Sequence, residues 1–325
     1  MSRHLEELVA GHGVWEKESA SDSNEPDRTG PSRREWAVSF LLFVLTILSV
    51  SLAGLFYVFG IFFLESVRSV SAQPGLLLYG LQYSIPLIAV LSAHEMGHYL
   101  ACRYYGIRCT PPYFLPIPVS ITGTLGAFIK IKSPFTSNRD LFDVGIAGPL
   151  AGFIIAMPVL WIGIGLSRIA PEGSARSGEL FFGEPLILRM LATALLDYDP
   201  AGNILIAHPI AMAGWFGLLV TSLNLLPVWQ LDGGHISYAI VGPKLQKRIT
   251  IAVLVLLMLL GLWGWPTPSY LFFGLLLFIL GVRHGFYHPR TVRDGVSLGL
   301  GRKVLAIAAA IILILCFTPV PVSFT

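Results

Sequence analysis

Residues Leu77 to Arg103 read LLYGLQYSIPLIAVLSAHEMGHYLACR. At about 1.5 Å per residue the run is long enough to cross a hydrocarbon core of about 30 Å. Its composition is that of a membrane span, yet the segment Ser92–Cys102, SAHEMGHYLAC, places two imidazoles and a carboxylate inside it. Ionisable groups at membrane depth are costly, rare, and retained for function.

The rest of the chain fits a bilayer. Of 325 residues, 54% are hydrophobic and 13% charged, against about 25% charged in soluble domains, and the mean hydropathy is +0.70. The apolar runs are continuous rather than alternating, which selects helices over a barrel. The expected fold class is an all-α polytopic membrane protein of about seven transmembrane helices, with a short β-hairpin between spans two and three. The spans fall near residues 36–63, 77–103, 144–166, 209–241 (broken at Pro227), 249–265, 269–282 and 304–317. The hairpin is expected from GTLGAFIKIKSP, where Ile129 and Ile131 alternate with Lys130 and Lys132. A short amphipathic helix is expected near residues 185–196.

Residues 1–35 are polar and mixed in charge. They read as a disordered cytoplasmic tail, without the apolar core of a signal peptide or the acid-poor composition of a transit peptide. The expected organisation is this tail, a first span and outside loop (36–76), a catalytic core (77–242) and C-terminal helices (243–325). With the N-terminus inside, inner segments hold 18 of the 22 Lys and Arg and outer segments four. That asymmetry puts the N-terminus on the cytoplasmic side and the C-terminus outside, and the expected location is the cell inner or plasma membrane, as an integral multi-pass protein. Trp36, Trp263, Trp265 and Tyr287 near span ends fit an interfacial belt. A net charge of +3 is too small to imply a nucleic-acid partner. Cys102, Cys109 and Cys316 form no CxxC pair, which argues against a disulfide framework or a thiolate metal site.

His94-Glu95-Met96-Gly97-His98 fits HExxH. On a helix the two histidines share a face and can converge on one ion, and Glu95 beside the first ligand is placed as a general base. Gly97 leaves room for close packing. A catalytic zinc usually has three protein ligands, so a third must come from another span. The candidate is Asp232 in LNLLPVWQLDGGH, an isolated carboxylate followed by Gly233 and Gly234; the other reading of Asp232 is an N-cap for the next helical piece. Depth is consistent with the first reading. His94 lies about 14 Å from the inner end of its span, and Asp232 about 18 Å if that part is helical. Asn224 and Gln230 are polar enough to line an access cavity. Gly148, Pro149 and Gly152 read as close-packing residues. His208, His284 and His288 read as interfacial residues, and His235 as a neighbour of the site or a packing residue.

HEMGH on one span with NLLPVWQLDGG on a later one resembles the site-2 protease family of intramembrane zinc metalloproteases. GTLGAFIKIKSPF and FDVGIAGPLAG are similar to the family's intervening segments, so the resemblance covers roughly residues 75–242. It implies one Zn2+ per chain held by His94, His98 and Asp232, with Glu95 as the catalytic carboxylate and Asn224 near the substrate or oxyanion. It also implies a membrane-anchored transmembrane protein as substrate. Such a helix must unwind to be cut, and Gly123–Ser133 is expected either as an edge strand that pairs with it or as a plain surface hairpin on the inner face. The segment from Tyr104 to Phe142 is too short for an inserted PDZ domain, which points to the PDZ-lacking branch. A divalent-metal transporter and a non-catalytic scaffold are the rival readings.

Overall fold

A computed structural model describes residues 30–174, 180–264, 267–286, 291–293 and 295–324. Most of the expected tail, together with Arg176, Trp265, Tyr287 and His288, lies outside the described residues. The described residues are mostly helical and form three two-stranded sheets.

Helix α1 (Arg33–Phe59) opens with a capping box in which Ser32 and Glu35 satisfy each other's backbone amides, and closes at Gly60 in the left-handed conformation. Both are standard devices for the unpaired ends of a helix. A short helix α2 (Phe63–Ala72) leads to α3 (Leu77–Tyr104), which carries the HEMGH run. Helix α4 (Asn138–Gly165) starts from a second capping box, Ser137 with Asp140. On the opposite end of the bundle lie strands β3 (Arg168–Pro171), β4 (Leu180–Phe182) and β5 (Asn203–Ile206), with helix α5 (Leu186–Leu196) between β4 and β5. The expected helix near residues 185–196 is therefore present. Helices α6 (Pro209–Leu225), α7 (Asp232–Trp263), α8 (Ser269–His284) and α9 (Gly299–Cys316) complete the bundle, and a final strand β6 (Val322–Phe324) pairs with β4.

Among the described residues, five helices are long and apolar enough to cross a membrane: α1, α3 with the turn before it, α4, α7 and α9. Two of the seven expected spans correspond to shorter apolar helices, α6 with 17 residues and α8 with 16. The stretch expected as a fourth span, broken at Pro227, is α6, a six-residue loop and the first part of α7. Helix α7 continues through a kink at Gly242 (φ 76°, ψ 174°) into the expected fifth span. Gly242 leaves helical geometry and Pro243 cannot donate to the preceding turn, so α7 is two helical pieces meeting at a kink.

The hairpin is formed by β1 (Tyr113–Pro116) and β2 (Thr124–Phe128), antiparallel. It lies earlier in the chain than the Ile129–Lys132 alternation suggests, and Ile131 joins only through an isolated bridge to Cys109. The hairpin also runs along α1 rather than across the surface. Lys132 pairs with Glu35 in the first turn of α1, Ser39 donates to Pro112 O, Ser49 donates to Gly123 O, and Tyr57 near the far end donates to Ile121 O. The 22 residues from Glu35 to Tyr57 span about 33 Å, the thickness of a hydrocarbon core. Irregular backbone survives at such depth only where protein groups satisfy it. Here the hydroxyls of Ser49, Tyr57 and Tyr83 accept that task. Gly123, at φ 76°, lies against the α1 backbone at Ser49 and Val50, so only glycine suits both its conformation and its contact.

The body of the bundle packs α3 against α1, α4 and α6. Its buried core includes Tyr83, Leu87, Phe142, Leu160, Trp215 and Leu218. At the end bearing the hairpin base, Arg302 of α9 grips the Asp143 carboxylate with two hydrogen bonds of 2.6 and 2.8 Å, and Tyr105 donates to the same carboxylate. That fork-on-carboxylate geometry ties the C-terminal helix to α4.

Candidate metal centre

One helical turn separates His94 from His98 on α3, and their Nε2 atoms face each other at 3.2 Å. Asp232 reaches both across the bundle, with Oδ2 3.2 Å from His94 Nε2 and Oδ1 3.2 Å from His98 Nε2. All three side chains are largely buried. Among the described residues they are the set of His, Cys, Asp or Glu groups whose ligand atoms cluster in the manner of a metal site, all within 4.8 Å of one another.

The donor set fits zinc. Two imidazoles and a carboxylate are ordinary zinc ligands, and one ligand atom from each of the three residues lies within 4.8 Å of the others. Hydrogen bonding alone explains the cluster poorly. His94 Nε2 faces His98 Nε2, Asp232 Oδ2 and Asn224 Nδ2 together, more neighbours than one ring nitrogen satisfies, and Asp232 Oδ2 lacks hydrogen-bond geometry.

Helix α4 sets the histidine rings. His98 Nδ1 donates to the Val144 carbonyl at 2.8 Å. That bond selects the tautomer whose Nε2 lone pair is free for a cation, a common arrangement behind histidine ligands. Gly148 faces the His98 ring and Gly152 the His94 ring at van der Waals distance, while Gly97 meets the backbone of Ala147. Gly148 and Gly152 therefore do more than bring two helices together. They are the floor on which the two imidazoles rest. A methyl group at Gly148 would overlap the His98 ring. Gly148→Ala is accordingly expected to weaken zinc binding about 10- to 100-fold, the range seen when a ligand's outer partners are lost, measured by titration against a competing chelator. Unchanged affinity would show that the ring is not seated on Gly148.

Asp232 is the first residue of α7. The cap position is Leu231, and no side chain caps the helix. The N-cap reading of Asp232 is thus corrected by one residue: its carboxylate sits in the first turn, where the helix dipole favours negative charge, and points at the histidines. Gly233 and Gly234 let the start of α7 pass under the carbonyls of Leu225, Leu226, Val228 and Trp229. The loop before Asp232 is held by the far half of α7. Thr250 Oγ1 accepts from Trp229 N at 3.1 Å, and Gln246 Nε2 donates to Trp229 O at 3.4 Å and to Thr250 Oγ1 at 3.1 Å. Trp229 itself is left-handed at φ 45°, a conformation that costs about 1 kcal/mol or more outside glycine and persists here because both of its peptide groups are held. Sequence reasoning missed Thr250, Gln246 and the Val144 carbonyl.

A cavity of about 620 Å³, open mouth included, leads to the cluster. His94, Glu95, His98, Asn224, Gln230 and His235 are among the residues on its wall, with the chain from Ala127 to Ile131 along one side. Glu95 is 7% exposed and shares the cavity wall with Ile129. Asn224 Nδ2 is 3.3 Å from His94 Nε2. The structure therefore brings every sequence-expected site residue into one place. His235 lines the same wall with its ring against Phe135. His208 is elsewhere, capping α6 through Ile210 N, and His284 ends α8.

A helical, membrane-type bundle with a buried His–His–Asp cluster beside a glutamate defines a class of membrane metalloprotein. The comparisons with known proteins narrow it. The model of peptidase family M50 matches residues 82–262, more than half of the chain. Among similar curated proteins, the probable zinc metalloprotease EGY2, chloroplastic, of Arabidopsis thaliana is 32% identical over 77% of this chain and 44% of its own length. The probable zinc metalloprotease EGY1, chloroplastic, of the same plant is 30% identical over 72% of this chain and 42% of its own. The chain thus spans less than half the length of these relatives. It belongs to peptidase family M50, the site-2 protease family.

Proposed function

We propose that this chain is an intramembrane zinc metalloendopeptidase that hydrolyses peptide bonds in or near a transmembrane segment of membrane-anchored substrates, releasing a fragment to the cytoplasmic side. The observation that carries this reading is the convergence of His94, His98 and Asp232, from helices far apart in sequence, beside the Glu95 carboxylate on one cavity wall. In it His94, His98 and Asp232 hold one Zn2+ ion. When bound, the ion supplies Lewis acidity, drawing the pKa of water toward about 7 and polarising the scissile carbonyl. Glu95 takes the proton from the attacking water on its carboxylate and delivers it to the leaving nitrogen as the carbon–nitrogen bond breaks. The Asn224 amide donates to the carbonyl oxygen as negative charge grows on it. A substrate helix hides its peptide groups, so it must unwind to be cut. The backbone next to Glu95 at Ile129 offers an extended edge against which an unwound segment can pair, and the cavity wall formed by Ala127–Ile131 supports that placement.

The same reading puts the N-terminus inside and counts seven crossings in the inner or plasma membrane, with α6 and α8 as short spans. At 17 and 16 residues they are about 25 Å long, within reach of a locally thinned or tilted fit. Purified protein is expected to cleave a single-span substrate, to lose at least nine-tenths of that activity with a zinc chelator, and to regain it when zinc is returned. Cleavage indifferent to complete metal removal would refute the reading.

A further inference from the structure

Helices α1 and α3 carry matching stripes. On α1, Arg33, Trp36, Phe40 and Phe43 recur at intervals of three and four and share one face; on α3, Ser92, Met96, Tyr99 and Arg103 do the same. Between the stripes runs a groove of about 570 Å³, open mouth included, with Trp36, Phe40 and Phe43 on one wall and Ser92 and Met96 on the other. Phe114 of β1 also lines it, edge-on to Phe43 with ring centroids 5.1 Å apart. The lining is almost wholly apolar, and the hydroxyl of Ser39 beside it is spent on Pro112 O at 2.6 Å. Met96 lies between His94 and His98 in sequence but on the opposite side of the helix from them. The groove is therefore behind the ligand helix, away from the metal centre.

One end of the groove is interfacial and basic. Trp36 and Tyr99 meet edge-on there, ring centroids 6.2 Å apart, and these are the residue types that settle at headgroup depth. One turn further out each stripe ends in an exposed arginine, Arg33 in the first turn of α1 and Arg103 in the last turn of α3, with Arg34 exposed beside Arg33. A Cβ at Gly30, just ahead of α1, would lie 3.7 Å from Arg103 Nη1, so the two basic ends adjoin. Lys132 adds a fourth cation and Glu35, paired with it, one carboxylate; among the described residues the rim thus carries a surplus of positive charge. Arg33 and Arg34 also stand at the positive end of the α1 dipole, an unfavourable placement that a nearby anion relieves. Phe40 is 69% exposed, which leaves the groove open sideways. We propose that this groove binds a phospholipid with an anionic headgroup, one acyl chain lying along Trp36–Phe43 and the phosphate on Arg33, Arg34 and Arg103. The seven residues from Trp36 to Phe43 span about 10 Å, within the depth of one leaflet, about half of a 30 Å hydrocarbon core. A substrate helix seated here would present its peptide bonds to the back of α3, out of reach of the metal centre, and the proposal needs neither zinc nor cleavage.

The test places the whole protein in nanodiscs with phosphatidylglycerol that carries a photoreactive diazirine on its acyl chain, and maps the labelled peptides by mass spectrometry. Labelling of Trp36–Phe43 and Ser92–Met96 is expected to exceed severalfold that of another exposed apolar stretch, Ile154–Ile162 of α4. Unlabelled phosphatidylglycerol is expected to compete at least about tenfold better than phosphatidylcholine, since each basic residue near an anionic headgroup adds to the attraction. Combining Arg33→Gln, Arg34→Gln and Arg103→Gln is expected to abolish that preference while chain labelling persists. Ser92→Phe, which fills the groove, is expected to remove the labelling with the thermal midpoint unchanged. Labelling no stronger than at Ile154–Ile162, or competition indifferent to the headgroup, would overturn the proposal. So would displacement of the labelled lipid by a single-span substrate, which would make the groove a substrate path instead.

Discussion

Glu95→Gln is expected to lower peptide-bond cleavage by about 10³-fold while zinc content and thermal midpoint stay those of the parent. General acid–base groups contribute about 10²- to 10⁴-fold, and the substitution removes that contribution with little else. Glutamine has nearly the volume of glutamate, so the buried site (7% exposed at this residue) is not reshaped. Its amide keeps a polar oxygen on the cavity wall that Glu95 shares with Ile129. Glu95 is also absent from the set of atoms clustered for a cation, so metal affinity has no reason to fall. The measurement is initial-rate cleavage of a single-span substrate alongside metal analysis of the same preparation. Full activity in the variant would remove Glu95 from the mechanism. Loss of activity together with loss of zinc would instead mark it as a residue that supports the metal.

The parts of this site that were legible in the sequence are those written locally. His94, Glu95 and His98 lie within one helical turn or so, and helix geometry alone predicts that the imidazoles share a face; the structure places their Nε2 atoms 3.2 Å apart. Asp232 was legible because a lone carboxylate followed by two glycines stands out in apolar surroundings. Its place as the first residue of α7 rather than the cap was not, since adjacent positions at a helix start look alike in sequence. Asn224 was reached only through the family resemblance. The supports were hidden for a common reason: each acts across a long stretch of chain. Val144 answers His98 from 46 residues away and Thr250 answers Trp229 from 21. Gly148 and Gly152 were legible as small residues but not as seats for particular rings. The hairpin was recognised, but not what holds it. In the fold, side chains of α1 and α3 hydrogen-bond its backbone through the depth of the bundle. The kink at Gly242 did carry a signal, the Gly-Pro pair that punctuates helices.

The strongest effect on the metal itself is expected from Asp232→Ala. The carboxylate supplies the only formal negative charge among the three clustered ligands, and it approaches both imidazoles at 3.2 Å. Without it, two neutral ring nitrogens remain, below the three protein ligands usual for a catalytic zinc. Zinc affinity should therefore fall by more than about 100-fold, beyond the 10- to 100-fold expected from loss of an outer partner such as the Gly148 seat. Removing the charge from the first turn of α7 also forfeits about 0.3–1 kcal/mol of interaction with the helix dipole, too little to unfold the bundle, so the thermal midpoint distinguishes lost binding from lost structure. Asp232→Asn refines the comparison. It keeps the shape and an oxygen but not the charge, so its affinity should fall between those of Gly148→Ala and Asp232→Ala in a competitive chelator titration. If Asp232→Ala retained parental affinity in a folded protein, the cation would have to be held without α7, and the convergence of the two helices would have no chemical purpose.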